Sequence, residues 1–351
     1  MAAFSWKKLN EPLGVLELAL VFQITAMPKS PMIPKTLFVL GAGASSGLGF
    51  PLGNQLKKEL LNRLTDKGSQ LLLALQSSGI SAHKTEKFAR QLERAEFNTI
   101  DQHLREIGNP ETRMIGKRAV AYLIRMLENE SALFHRDENP RHWYKFLADH
   151  FAQYPDHATP NQLTFITFNY DRSLPHYLFE TLLNRNADVT KLKSFLGSEN
   201  FWHIHGHVGE LPWHFESGRD SRSYFQYGAQ LSIDDMCKHK PDIYLPDDQA
   251  DQKLMPVSRM TEAEIVVFVG YGFHDANNAK LPFGIGPVVT NPNRRFFNIN
   301  PLPPPEKLLF EGKKITHLSG DAQKQIPHFL RDLASGELLN RNYAEPVKLW
   351  Q

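Results

Sequence analysis

Three clusters in the chain carry side chains able to do chemistry. His203-Ile204-His205-Gly206-His207 sets three imidazoles two residues apart. On an extended strand that spacing puts them on one face, where neutral imidazole can bind zinc, copper or iron, or act as a base near neutral pH. No neighbouring cysteine or carboxylate has ligand spacing, so no metal is expected. The reading is one functional histidine, with His203 and His207 capping, packing or facing solvent. Thr167-Phe168-Asn169-Tyr170-Asp171 places an amide and a carboxylate where an apolar run ends, a pattern that also suits an ordinary turn. Gly41-Ala42-Gly43-Ala44-Ser45-Ser46-Gly47-Leu48-Gly49 holds four glycines in nine residues.

The glycine-rich stretch admits several readings. A dinucleotide fingerprint, G-x-G-x-x-G, needs glycine where Ser46 stands. It also needs an acidic partner about 20 residues on, and Glu59, near that spacing, falls on a helix. Gly43-Ala44-Ser45-Ser46-Gly47 matches the serine elbow of α/β-hydrolases, but the elbow normally follows several strands and here barely 35 residues precede the first. Gly41 and Gly43 also permit close backbone approach, and N–H groups at a helix start favour a pyrophosphate. A tight turn without a ligand is the plain alternative.

The elements that position these clusters follow from the apolar pattern. Thr36–Leu40 is a short apolar run ending in glycine, which reads as a buried parallel strand. With the turn and a helical Leu56–Leu64 it forms the opening of a nucleotide-binding α/β fold. Leu163–Phe168, Phe201–Ile204, Ile265–Val269, Arg295–Ile299 and Ile315–Leu318 repeat the strand pattern, each finishing on polar or glycine residues. Ligands of open parallel sheets bind beyond the carboxyl ends of the strands, so these six ends are expected to line one crevice. Glu86–Ile107, Lys117–Glu128 and Arg141–Gln153 show helical spacing, with a polar, proline-bearing stretch at 135–140 between two of them. The expected fold is α/β: a Rossmann-like parallel sheet with helices on both faces, a helical insertion over about 65–160 and a polar insertion over about 207–262.

A length of 351 residues suggests two domains at about 150 residues each, but convergence on one crevice favours a single large domain, 31–351. Residues 1–30 read as an extension. Leu13–Met27, after Lys7 and Lys8, resembles a secretory h-region, but Glu17 and Gln23 interrupt it and no small-x-small cleavage site follows cleanly. It is too short and polar to span a bilayer, and a dispensable extension or a start at Met27 or Met32 is expected. The net charge of +2 gives no support for coating nucleic acid or a membrane surface. The one cysteine, Cys237, excludes an intrachain disulfide and any zinc site of several thiolates, and suits a reducing cytoplasm.

Taken in order, GAGAS, GFP, TFNYD, HG, VGYGF, INP and SGDA resemble the sirtuin family. They are most similar to the zinc-free, sirtuin-like NAD-hydrolysing domains of bacterial antiphage defence. The likeness runs from about residue 36 to 335. It implies that Gly41, Ala42, Gly43 and Ser45 cradle phosphate, that Asn169 orients the nicotinamide ribose and the nucleophile, and that Asp171 sits near the carboxamide. His205 matches the catalytic histidine, Gly270 and Tyr271 the loop on phosphate and ribose, Asn300 the adenosine ribose, and Asp321 with Ala322 the adenine loop.

The departures matter as much. Gly49-Phe50-Pro51 is followed by Leu52-Gly53-Asn54 in place of the deacylases' Asp-Phe-Arg, and their four-cysteine zinc ribbon is missing. Gly272 stands where the family often has serine. The resemblance therefore implies an NAD⁺ glycohydrolase with NAD⁺ as substrate and no required metal, which arrests phage by depleting NAD⁺ in the host. It further implies a homo-oligomer or a partner such as a helicase-like ATPase or an Argonaute-type protein, and no membrane. The helical segment and the polar insertion are the candidate contact surfaces. A sensor that binds NAD⁺ or ADP-ribose without turnover, a protein ADP-ribosyltransferase and a deacylase are the alternatives.

Overall fold

The computed structural model describes residues 32–134, 142–159, 162–197, 200–214, 224–228, 242–243, 257–281, 283 and 291–340. The expectations for 1–30, for 135–140, for Cys237 and for much of 207–262 lie outside them. The described residues belong to one unit, Met32–Gln351.

The strands are β1 (Thr36–Leu40), β2 (Leu163–Thr167), β3 (Phe201–His203), β4 (Gly206–His207), β5 (Asp242–Ile243), β6 (Ile265–Val269), β7 (Arg295–Asn300) and β8 (Ile315–Ser319). Six of them form one parallel sheet in the order β3-β2-β1-β6-β7-β8. This is the doubly wound order, whose direction reverses between β1 and β6. β4 and β5 make a separate antiparallel pair. The expected α/β, Rossmann-like fold is the one observed.

All residues of β1, β2 and β6 are buried, because both faces of a parallel sheet are covered. Alternation divides their side chains. Phe38, Leu40, Phe165 and Val267 enter the larger core, whereas Leu37, Val39, Ile166 and Phe268 enter the smaller one. On the larger side Phe38 stacks on Phe165 at 5.2 Å and meets Phe329 of helix Ala322–Ala334 edge-on at 6.2 Å. The smaller side is closed by Met260 of helix Val257–Glu262 and by aromatic residues such as Phe273, Phe283 and Phe310.

Between β1 and β2 the chain is helical: Gly53–Thr65, Gln70–Ser77, Ala82–Arg94, Ile100–Glu106, Pro110–Leu127, Glu130–Leu133 and Tyr144–Gln153. The expected helix over 86–107 is two helices. Glu96 takes a positive φ of 54°, and the Thr99 hydroxyl accepts from the Gln102 amide at 3.2 Å, starting a new helix at Ile100. That restart sets Asp101 in the first turn of a helix facing the sheet's carboxyl edge.

Candidate functional site

Register brings the six strand ends level: Leu40 lies beside Thr167 and Val269, Thr167 beside His203, Val269 beside Ile299, and Asn300 beside Ser319. The turns after them share one edge of the sheet, as expected. At the reversal point the turns after β1 and β6 cross in contact. The amides of Gly41 and Gly43 donate to the carbonyls of Val269 and Gly270, each at 3.0 Å. A Cβ on Gly41 would lie 2.5 Å from the Gly270 oxygen, and one on Gly270, at φ 57°, only 2.2 Å from the Ala44 nitrogen. The glycines at 41, 43 and 270 are thus needed for two backbones to cross, whatever they also do for phosphate. The turn itself is two short 3₁₀ segments, Ala42–Ala44 and Ser46–Leu48, and the α-helix begins only at Gly53. Glu59 sits on that helix, paired with Arg63 at 2.7 Å.

Beside this crossing the structure gathers Asn169, Ser45 and Asp171. The Asn169 side-chain amide donates to the Gly41 carbonyl at 2.9 Å and to the Ser45 hydroxyl at 3.2 Å. Ser45 is buried and lies 3.3 Å from the Tyr144 hydroxyl. Asp171 is buried too. Its carboxylate accepts from the Ser173 amide at 3.0 Å and from the Ser45 and Ser173 hydroxyls. Burial pushes its pKa up, those hydrogen bonds oppose the rise, and Glu128 adds to it. Trp143 clamps the turn by donating to the Ala44 carbonyl at 3.0 Å. Arg172 forms a buried two-point ion pair with Glu128 at 2.9 and 2.7 Å, tying the chain after Asp171 to the helical segment.

The three imidazoles of 203–207 do not share a strand face, which corrects the alternation reading. β3 ends at His203, the chain turns at Ile204 and His205, and Gly206, at a φ of 68°, opens β4. His203 donates from Nδ1 to the Asn169 carbonyl at 3.1 Å, and its ring lies 5.1 Å from that of His207. Burial, with His207 adding to it, lowers His203 to about 3. The Glu210 carboxylate lies 2.9 Å from His214 Nδ1 and 3.6 Å from His207 Nε2. No group of three or more histidine, cysteine, aspartate or glutamate side chains suited to a metal ion occurs among the described residues.

His205 stands apart from the other two. It is buried, packed at 5.6 Å from the Phe168 ring and 6.0 Å from the Tyr170 ring. Its Nδ1 has no hydrogen-bond partner among the described residues. Burial pushes it down to about 4; Asp101 acts against that, Lys280 with it, and a hydrogen bond with Asn277 against it. At neutral pH the imidazole is therefore uncharged and able to accept a proton.

Across the reversal point the expected residues are differently engaged. Tyr271 is buried in the smaller core, and its hydroxyl donates to Asn278 at 3.1 Å. Its side chain therefore faces away from the crevice, and only its backbone can meet a nucleotide there. The Asn300 amide donates to the Tyr271 carbonyl at 2.9 Å. Asp321 is exposed and caps helix Ala322–Ala334 by accepting from the Lys324 amide at 2.9 Å, with Ala322 opening that helix.

Sequence reasoning passed over Asp101, Trp143, Tyr144, Asn277 and Lys280. They lie in helical or irregular stretches with no motif to mark them, and the fold alone carries them to the strand ends. Compared with protein-family models and with curated proteins, the chain matches none. Among the described residues no helix is long and apolar enough to cross a membrane.

Proposed function

We propose that the protein hydrolyses NAD⁺ to nicotinamide and ADP-ribose. The observation that carries the reading is that Asn169, bonded to the glycine turn at the sheet's reversal point, follows the strand next to the one that leads to the buried His205, whose ring packs on Phe168 and Tyr170 on either side of Asn169. The doubly wound strand order supports a dinucleotide in this crevice. The ordered resemblance to sirtuin-like domains supports NAD⁺ in particular.

In the reaction the C1′–N bond of the nicotinamide ribose breaks and its electron pair neutralises the pyridinium, so the leaving group needs no proton. Water forms the new C1′–O bond and gives one proton to His205, acting as general base. Asn169 orients the ribose and the water rather than moving a proton. The Ser45–Asp171 pair, buried beneath it, fixes the amide. Cytoplasmic depletion of NAD⁺ in antiphage defence, by an oligomer or with a partner ATPase or Argonaute-type protein, is the biological form of this proposal.

The test incubates the purified chain with NAD⁺, alone and with an acyl-peptide or an acceptor protein, and separates the products. Free ADP-ribose and nicotinamide without acceptor are expected. Products formed only with acyl-peptide, or label transferred to protein, would replace hydrolysis with deacylation or ADP-ribosyl transfer. Tight binding of intact NAD⁺ would make the protein a sensor.

A further inference from the structure

Helix Ile100–Glu106 delivers a carboxylate to the strand ends that no motif announced. Asp101 accepts a short hydrogen bond from the Tyr170 hydroxyl. The Tyr170 ring lies against His205, tilted 40° from it with centroids 6.0 Å apart. Tyr170 is itself buried between the two residues of the expected site, Asn169 and Asp171. We propose that Asp101, held by Tyr170, is the positioning residue of His205, its carboxylate steadying the positive charge the imidazole gains on taking the proton of water. The inference rests on the hydrolase reading of the site.

The chemistry requires such a group. A buried imidazole that accepts a proton creates a cation away from water, and an anion nearby lowers the cost of that step. Among the described residues, the charged groups facing His205 are Asp101, from the helical segment, and Lys280, after helix Asp275–Asn278; the first favours the cation and the second opposes it. Asn277 contributes a hydrogen bond, and Phe168 and Tyr170 supply the apolar walls. Catalytic triads also set a carboxylate behind the imidazole that accepts the nucleophile's proton, but there it bonds the ring, whereas Asp101 bonds Tyr170 and acts on His205 through its charge.

Asp101→Asn separates charge from structure, because the asparagine oxygen still accepts from Tyr170. With NAD⁺ as substrate, kcat is expected to fall about 10- to 100-fold while KM changes less than twofold, and Asp101→Glu recovers part of the loss. In the protein without substrate, nitrogen-15 NMR is expected to show His205 titrating at lower pH in Asp101→Asn than in the wild type, followed where circular dichroism remains native. An unchanged kcat, or a His205 titration that does not move, overturns the proposal. Wild-type protein that leaves NAD⁺ intact ends the hydrolase reading alone. The NMR titration still decides whether Asp101 governs His205.

Discussion

The two halves of the sheet meet at Gly41 and Gly270 but hold their polar groups in opposite ways. On the β1-β2-β3 side, Ser45, Asp171 and His205 are buried, and Asn169 is bonded to the glycine turn. On the β6-β7-β8 side, Asn300 and Asp321 serve a loop carbonyl and a helix cap, and Tyr271 turns into the core. Burying polar groups costs free energy unless the partners are well placed. Both halves bury such groups, Arg294 and Glu311 forming a buried ion pair on the second, but among the expected site residues it is Ser45, Asp171 and His205 of the first side that carry the cost. On the proposed function, the second side holds the ligand rather than changing it. Chemistry on one half and grip on the other is the arrangement to break.

The largest effect belongs to the buried half. His205→Ala is expected to reduce NAD⁺ turnover about 10²–10⁴-fold, the usual range for removing a general base. Asn300→Ala is expected to raise KM with kcat within about tenfold. Steady-state kinetics on both variants, with circular dichroism to confirm folding, checks the contrast. A His205→Ala protein with wild-type turnover would remove the catalytic assignment from this half.

Next comes the seam itself. Gly270→Ala places a methyl group 2.2 Å from the Ala44 nitrogen at a φ of 57°. Left-handed strain of about 1–2 kcal/mol and overpacking of about 1–3 kcal/mol both act against it. Denaturant unfolding should show a loss of roughly 3 kcal/mol. Gly49→Ala has strain alone, since nothing lies within 4 Å of its Cβ, and should lose less. Equal losses would mean that the crossing of the two turns is not tight.

Acid should tell the halves apart as well. Burial holds His103, His150, His176 and His205 near 4 and His203 near 3, all on the β1-β2-β3 side or in the helices packed on it. Across the sheet, His317 and His328 are lowered less strongly. These folded pKa values lie below the unfolded value near 6.5, so between about 6.5 and 4 the unfolded chain binds more protons. Stability therefore falls as pH drops through that window, by up to about 1.4 kcal/mol per pH unit for each histidine. Asp171, raised by burial, works the other way, favouring the fold as pH falls through the carboxylate range. Thermal melts from pH 7 to 4.5 should show a steep decline, and hydrogen exchange should place the first opening in the helical segment between β1 and β2.

How much of this the sequence revealed divides along the same line. The strand runs and their polar ends were legible because a buried parallel strand is a short apolar run with an abrupt stop, and all six appear within a residue or two of where the pattern put them. Asn169, Asp171 and His205 were legible as types at strand ends. His203 and His207 were misplaced because strand alternation was extended past His203, where the chain turns at Ile204 and His205. Asp101 was invisible because helical periodicity marks the face a helix buries and not the polar atom it delivers to a distant loop. The motif marks Tyr271 as part of a ligand loop but does not reveal that its ring is core.

The smallest effect tests the gripping half most directly. Asp321→Ala removes the side chain that accepts from Lys324 at the start of helix Ala322–Ala334. Loss of such a cap costs about 1 kcal/mol, and Asp321→Asn, itself a good cap, should restore nearly all of it. Because the carboxylate is exposed and already engaged by the helix, kcat should stay within about twofold and KM for NAD⁺ within about threefold in both variants. Chemical unfolding and initial-rate measurements on the pair separate the roles. A large fall in kcat in Asp321→Asn, with the cap intact, would mean that the β8 turn takes part in the chemistry and that the division between the halves is wrong.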